Sequence, residues 1–260
     1  MVDALYFILV AFISYFIGTI NFSKIIAWNA RRKDITKVGS GNPGTMNMLR
    51  SFGFGLALFT FLAEVAKAGL TCLVFKLIFK GYGELIYFEA GAFLLFGNIF
   101  PVWSGFKGGK GVACFAGIFL FSNLWYVALG WFVLCFILFI FVNYACIISF
   151  VYIGGLSIGY TIYLWLTPVP HAWAITIIIW MLYLLMLFMH RGNIMRLIKG
   201  TENKIDFKSK LREVFSHKKG EQIIAEEYIE NKTPENEIVI TEKEQQTTSE
   251  QDKQAEQDKK

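Results

Sequence analysis

Long apolar runs dominate the first three quarters of the chain. Residues 111–189 pass without a single Lys, Arg, Asp or Glu, a stretch of 79 residues. A bilayer core about 30 Å thick is crossed by about 20 helical residues, so this stretch alone suits three or four spans. Three earlier runs, residues 4–23, 52–75 and 90–106, are also apolar, the second of them interrupted by Glu64 and Lys67. Because these runs lack the alternation of barrel strands, they predict an all-α, polytopic helical membrane bundle.

The number of spans follows from polar punctuation and from the placement of basic residues. Polar pairs at 122–123 and 143–144 and the segment 167–170 divide the uncharged stretch into pieces of 11, 19, 22 and 19 residues. Lys and Arg cluster after the first, third and last runs. Since such clusters mark the cytoplasmic side, an even number of spans separates them. Counting the short piece gives seven transmembrane helices, with the N-terminus outside and the C-terminus cytoplasmic.

The C-terminal quarter has a different character. The chain as a whole is 55% hydrophobic. In this quarter, by contrast, residues 191–220 carry a net charge of +6 and residues 221–260 a net charge of −7. Apolar positions 207, 211, 214 and 215 would share one helical face, a pattern typical of a helix on an anionic surface. The acidic part cannot bury enough apolar surface to order itself. We expect a membrane-embedded domain over residues 1–204 and a charged, largely disordered tail over residues 205–260.

Three short polar segments remain, each beside the end of a span. The first, GSGNPGTMNMLR at residues 39–50, combines three glycines with Ser40, Asn42 and Asn47. Glycines let successive backbone amides point at an anion, and Arg50 adds a guanidinium suited to phosphate. An ordinary turn between helices is the alternative, but a turn requires less polarity.

The second segment, SGFKGGKGVA at residues 104–113, alternates Lys107 and Lys110 with glycines. It is not a Walker A loop, because the glycine spacing differs and Gly111 stands where Ser or Thr is required. Nucleotide hydrolysis is therefore disfavoured. The pattern favours anion binding, although simple anchoring on the cytoplasmic side would also use two lysines.

The third segment, HRGNIMRLIKGTE at residues 190–202, follows the last span. On a continuing helix His190, Asn193 and Arg196 recur every three residues and share one face. Within the second span, Glu64 and Lys67 lie three apart and can neutralise each other. This pair forms either a wall of a site or a neutral pair that fixes helix packing.

The chain offers no evidence for a metal site. The four cysteines lie singly in apolar runs, and neither His nor acidic residues show ligand spacing. No nucleophile for a covalent intermediate stands out.

Together the three polar segments resemble the acyl-phosphate:glycerol-3-phosphate acyltransferase family (PlsY type). That family carries loops like SGNxGATNxxR and FKGGKGVA and a terminal HRxNIxRLxxGxE, where this chain has SGNPGTMNMLR, FKGGKGVA and HRGNIMRLIKGTE. The resemblance spans about residues 4–204. Departures are Thr45-Met46 for Ala-Thr, Thr36 for an Arg, and Asn98 for the usual His.

The resemblance implies transfer of an acyl group from acyl phosphate to the sn-1 hydroxyl of glycerol 3-phosphate. The products are lysophosphatidic acid and phosphate, in the first step of phospholipid synthesis. The enzyme would act at the cytoplasmic face of a bacterial plasma membrane, with membrane lipid as a partner, without nucleic acid and without a cofactor or metal. Expected catalytic residues are His190, Asn193, Ser40 and Lys110. Expected substrate- and phosphate-binding residues are Gly41, Asn42, Gly44, Asn47, Arg50, Lys107, Gly108, Gly109, Gly111, Arg196, Glu64, Lys67 and Glu202.

Two other functions are compatible with the residues. A transporter or binding protein for a phosphorylated metabolite would also place basic loops beside a helical bundle, although transporters often show repeated halves that are not visible here. A catalytically weakened relative is suggested by Asn98 and Met46.

Overall fold

Apolar helices build the described part of the chain, and they appear in the order that the hydropathy pattern predicts. The computed structural model describes residues 2–205 together with Phe207 and Ser209, and all of these except Ser209 belong to one unit. Apart from Ile205, Phe207 and Ser209, the predicted tail lies outside the described residues, and so does the rest of the predicted surface helix. The helices are α1 (Val2–Gly18), α2 (Phe22–Arg31), α3 (Thr45–Phe52), α4 (Phe54–Ile78), α5 (Gly83–Ile99), α6 (Val112–Leu120), α7 (Trp125–Val142), α8 (Ala145–Leu166), α9 (Ala172–Met189) and α10 (Arg191–Ile198). This confirms the predicted all-α membrane bundle.

Among the described residues, six helical segments are long and apolar enough to cross a membrane. The remaining predicted span, the 11-residue piece at residues 111–121, is the nine-residue helix α6. At 1.5 Å per residue it is about 14 Å long, roughly half of a bilayer core. The count of seven and the orientation of the termini stay predictions.

The third span is displaced from its predicted bounds. The pattern placed it at residues 90–106, whereas α5 begins at Gly83 and ends at Ile99. Glu84 and Glu89 made the first turns look too polar for a span. Glu84 is nevertheless buried, because it forms an ion pair with Lys76 and accepts a hydrogen bond from Tyr160 at 2.7 Å. These partners offset the cost of burying the Glu84 charge, so the helix can include it. A hydropathy pattern does not register such partners.

Close contact between α1 and α5 depends on two glycines. A Cβ added at Gly97 would lie 2.1 Å from the carbonyl oxygen of Tyr15, and one at Gly18 would lie 2.1 Å from that of Leu94. Small residues at helix interfaces let backbones approach closely in membranes. This contact positions the end of α5, from which the second polar segment departs.

Glu64 and Lys67 of α4 provide hydrogen-bond partners for backbone groups at the break between α1 and α2. Lys67 Nζ donates to the carbonyl oxygens of Gly18 and Ile20 at 3.3 and 2.7 Å, and Glu64 Oε1 accepts from the backbone N–H of Phe22 at 2.8 Å. Helix ends leave unpaired donors and acceptors, which are costly away from water. Lys67 Nζ and Glu64 Oε2 lie 2.6 Å apart. Lys67 thus bonds the end of α1, and Glu64 bonds the start of α2.

Helix α6 is held against α4 by small residues. A Cβ at Gly117 would lie 2.3 Å from the carbonyl oxygen of Val65. A Cβ at Gly69 would lie 2.2 Å from the ring of Phe121. Cys114 Sγ donates to Glu64 Oε2 at 3.2 Å. The start of α6, and the polar segment before it, therefore lies beside the interrupted α1–α2 region.

Candidate active site

The three polar segments meet around one cavity of about 470 Å³. Most residues that the sequence nominated lie on its wall. They are Ser40, Asn42, Gly44, Asn47, Arg50, Glu64, Gly109, Lys110, Gly111, His190, Asn193, Arg196 and Glu202. Gly41, Lys67, Lys107 and Gly108 do not line it.

The first segment is shaped by Asn47, which is buried. Its side-chain oxygen accepts from the backbone N–H of Ser40 at 2.8 Å, and its amide nitrogen donates to the carbonyl oxygens of Ile35 and Val38 at 3.0 and 2.9 Å. These contacts fold residues 35–40 back over the start of α3, with Gly41 in a left-handed conformation at φ 71°. Asn47 thus holds the loop that presents Ser40 and Asn42 to the cavity.

Backbone contacts in the second segment explain its glycines. The N–H groups of Gly108 and Gly109 donate to the carbonyl oxygens of Ile99 and Asn98 at 3.0 and 3.2 Å. A Cβ at Gly108 would lie 2.1 Å from the Asn98 oxygen, so only glycine fits. The loop directs Lys110 into the cavity, whereas Lys107 is exposed outside it.

The third segment folds back on itself beyond α10. Gly200, at φ 68°, reverses the chain and returns Glu202 to the cavity. The buried Glu202 carboxylate accepts from Asn193 Nδ2 at 2.6 Å and from Arg196 Nε at 2.9 Å. Asn193 also accepts a hydrogen bond from Lys110 Nζ, which joins the second segment to the third. The predicted sharing of one face by His190, Asn193 and Arg196 agrees with this arrangement, since all three line the cavity.

The His190 ring is held in one tautomer. Its Nδ1 lies 2.8 Å from the carbonyl oxygen of Met186, and because a carbonyl only accepts, Nδ1 carries the hydrogen. In the neutral ring Nε2 is then an acceptor. Burial, reinforced by the charge of Lys110, lowers the pKa of His190 to about 4. The ring is neutral at physiological pH.

Positive charge is concentrated in the cavity by Arg50, Lys110 and Arg196. Burial lowers the pKa of Lys110 to about 8, with Arg196 acting in the same direction and Glu202 opposing it. Burial also lowers the pKa of Arg50, and Arg196 adds to that shift. An anionic ligand would relieve this crowding of like charge, so the cavity suits a phosphate group.

Several lining residues were not identified from the sequence. Phe61, Cys146, Ser149 and Met189 contribute to the cavity wall from apolar spans. They carry no sequence signal, because an isolated residue inside an apolar run looks the same whether it faces lipid or the cavity. Asn98, identified as a departure, also lines the cavity, and its side-chain oxygen accepts from Lys67 Nζ at 3.2 Å.

An apolar groove of about 350 Å³ adjoins the polar cavity. Its walls are helices α3, α4, α7 and α8, the start of α6, and Phe207. The two spaces share lining residues, which are Thr45, Met46, Phe61, Val112, Ala145 and Ser149. Among the described residues, Thr45 Oγ1 at this junction is buried and has no hydrogen-bond partner. A ligand with a polar head and an apolar chain would extend from one space into the other.

Comparisons with known proteins agree with the geometry. Residues 8–200 match the family described as glycerol-3-phosphate acyltransferase. A protein of that name from Finegoldia magna is 36% identical over 77% of this chain and 97% of its own, and one from Bartonella henselae is 33% identical over 76% and 90%. Crystal structures of PlsY, an integral membrane glycerol 3-phosphate acyltransferase, in its glycerol 3-phosphate and lysophosphatidic acid forms are 26% identical, with TM-scores of 0.67 and 0.65. Each covers 79% of this chain and 98% of the PlsY chain. The chain belongs to the glycerol-3-phosphate acyltransferase family.

Proposed function

We propose that this chain transfers an acyl group from acyl phosphate to the sn-1 hydroxyl of glycerol 3-phosphate, giving lysophosphatidic acid and phosphate. The observation that supports it best is the junction of a cation-rich polar cavity with an apolar groove. Both substrates bring a phosphate, and the donor also brings a hydrocarbon chain. We place the reaction at the cytoplasmic face of a bacterial plasma membrane.

The cations have a direct role in this reaction. Arg50, Lys110 and Arg196 bind the phosphate groups and stabilise the negative charge that grows on the carbonyl oxygen and on the departing phosphate. The Ser40 and Asn42 side chains add hydrogen bonds from the first segment. Thr45, whose hydroxyl is buried without a described partner, donates to the acyl phosphate where cavity and groove meet.

The reaction requires one bond to form and one to break. The sn-1 oxygen bonds to the acyl carbon, the bond from that carbon to the phosphate oxygen breaks, and the hydroxyl proton must leave. A His190 ring with a pKa of about 4 holds a proton poorly. A phosphate monoester, with a second pKa near 6, is the stronger base. We therefore assign the proton to the phosphate of the donor and assign His190 Nε2 to accept a hydrogen bond from the hydroxyl and orient it.

The apolar groove holds the acyl chain while its carbonyl lies at the junction. No cofactor enters the scheme, because acyl phosphate is already an activated donor. The expected catalytic role of Asn193 becomes a positioning role, since its side chain bonds both Lys110 and Glu202.

The test uses the full chain in lipid nanodiscs with palmitoyl phosphate and labelled glycerol 3-phosphate. We expect labelled lysophosphatidic acid and phosphate in equal amounts, and no transfer from palmitoyl-CoA at matched concentration. Lys110→Ala should abolish transfer, whereas Lys107→Ala, a matched change on the same loop, should retain most of it because Lys107 lies outside the cavity. Transfer from palmitoyl-CoA alone would refute acyl phosphate as the donor. A folded protein that transfers from neither donor would refute the proposed reaction.

A further inference from the structure

A short strap of chain follows α10 and runs from the polar cavity to the apolar groove. We use the name C-terminal strap for residues 201–205 together with Phe207. At one end Glu202 bonds Asn193 and Arg196. Farther along, the backbone N–H of Ile205 donates to the carbonyl oxygen of Asn143 at 2.9 Å, in the turn between α7 and α8. The strap is therefore fixed both to the polar cavity and to the helices that wall the groove.

Phe207 places an aromatic ring in the wall of the apolar groove. Its ring centroid lies 5.8 Å from that of Phe54 at the start of α4, and 5.2 and 5.7 Å from those of Phe136 and Phe139 near the end of α7. Only 4% of the residue is exposed. The ring thus bridges α4 and α7 at one end of the groove. A second aromatic contact, between Phe61 and Phe132 at 5.3 Å, joins the same two helices elsewhere along it.

Phe207 lies outside the region of the chain that matches the family. The family match ends at residue 200. The polar chemistry of the site lies almost wholly within that match, whereas this piece of the groove wall is supplied from beyond it. A residue of this kind can change which ligand is accepted without changing the reacting groups.

We propose that Phe207 is a specificity-determining residue, which contacts the acyl chain in the groove and favours long-chain over short-chain donors. The inference rests on the proposed acyl transfer. A donor chain enters from lipid, so its gain in the groove comes from close packing more than from leaving water. A short acyl group at the junction does not extend along the groove to the ring. Only the longer donors gain from Phe207.

The test compares kcat/KM for palmitoyl phosphate and butyryl phosphate in nanodiscs. Alanine removes the packing contacts between the ring and a long chain, so Phe207→Ala should lower the ratio of the two values by about fivefold. Phe207→Leu, which keeps an apolar side chain, should lower it by about twofold and replaces the alanine variant if that one does not fold. Phe59→Ala is the matched control, because Phe59 lies on α4, is 61% exposed and does not line the groove. An unchanged ratio, or an equal loss with both donors, would overturn the inference.

A binding measurement separates this inference from the proposed reaction. Hexadecyl phosphonate and butyl phosphonate are titrated against the full chain and the same variants. We expect Phe207→Ala to weaken binding of the hexadecyl probe about fivefold, through the lost packing contacts, and to leave binding of the butyl probe unchanged. If the protein transfers no acyl group, the proposed reaction fails while this ratio still decides the role of Phe207. If Phe207→Ala bound each probe as tightly as the unaltered protein does, that role would be refuted.

Discussion

The side-chain ammonium of Lys110 donates a hydrogen bond to the side-chain oxygen of Asn193, which lies 83 positions farther along the chain. Asn193 in turn donates to Glu202, and Glu202 also accepts from Arg196. Two cations of the cavity are therefore tied to a single carboxylate, Arg196 directly and Lys110 through the side-chain amide of Asn193. The glycine-rich loop and the terminal segment act as one electrostatic unit, so a change in either should alter the ionisation of the other.

The rate of acyl transfer should fall as the pH rises through about 8. The pKa of Lys110 is lowered to about 8, chiefly by burial. Below that pH the ammonium is charged and stabilises phosphate, and above it the charge is lost. We expect kcat/KM to fall with a midpoint near pH 8, measured with a blank for spontaneous hydrolysis of the donor.

The matched variant for this profile is Lys110→Arg. A guanidinium stays charged across the whole range, so the variant should lose the fall near pH 8 even if its maximal rate is lower. A wild-type profile that stays flat up to about pH 10, the ordinary range of a lysine, would contradict the assignment.

Glu202→Gln should move the same midpoint to lower pH. The Glu202 charge raises the pKa of Lys110, so removing that charge favours the neutral amine at a lower pH. Glutamine keeps an oxygen that can accept from Asn193, which limits the structural change. Glu89→Gln is the control, because Glu89 does not line the cavity. A midpoint that moves upward, or does not move, would argue against the linked unit.

Thr45→Val should lower kcat/KM for acyl phosphate by about tenfold, the effect of one hydrogen bond of about 1.4 kcal/mol. Valine preserves the branched shape but removes the hydroxyl that lies buried at the junction of cavity and groove. Thr45→Ser keeps a hydroxyl and should retain most of the activity. Equal rates for the valine and serine variants would show that the hydroxyl does not contact the donor.

The sequence predicted the bundle and thirteen of the residues that line the cavity, because long apolar runs and clustered polar segments are local signals. It could not distinguish Lys107 from Lys110, since both share the same glycine-rich context and differ only in the direction that the folded loop gives them. It also left open the role of Glu64 and Lys67. Their role depends on the break between α1 and α2, which exposes donors and acceptors that only a folded neighbour reveals.

The groove residues show a second limit of the sequence. Phe61 and Ser149 lie in apolar runs whose composition is the same on the lipid side and on the groove side. Their contribution depends on how α4, α6, α7 and α8 pack, which is set by contacts between distant residues. Phe207 lies in a segment whose charge suggested a tail, yet its ring is buried among three others.

Lys76→Met should destabilise the protein by about 2–3 kcal/mol while leaving the chemistry of the site intact. Lys76 pairs with the buried Glu84, donates to Asn123 at 3.0 Å, and does not line the cavity. Removing the cation leaves a buried carboxylate with Tyr160 as its remaining side-chain partner among the described residues. Breaking a buried pair costs about 3–5 kcal/mol, and partial exposure of Lys76 reduces that figure.

The measurement is the free energy of unfolding in mixed detergent micelles. Adding Glu84→Gln to Lys76→Met should recover most of the loss, because a neutral amide no longer requires a cation and can still bond Tyr160. Lys80→Met, a change at an exposed lysine near the same helix end, should have little effect. If Lys76→Met and Lys80→Met were equally stable, the pair would not stabilise the bundle. In that case Glu84 would be tolerated in the span without its cation, and the ion pair would not be the reason that α5 begins at Gly83.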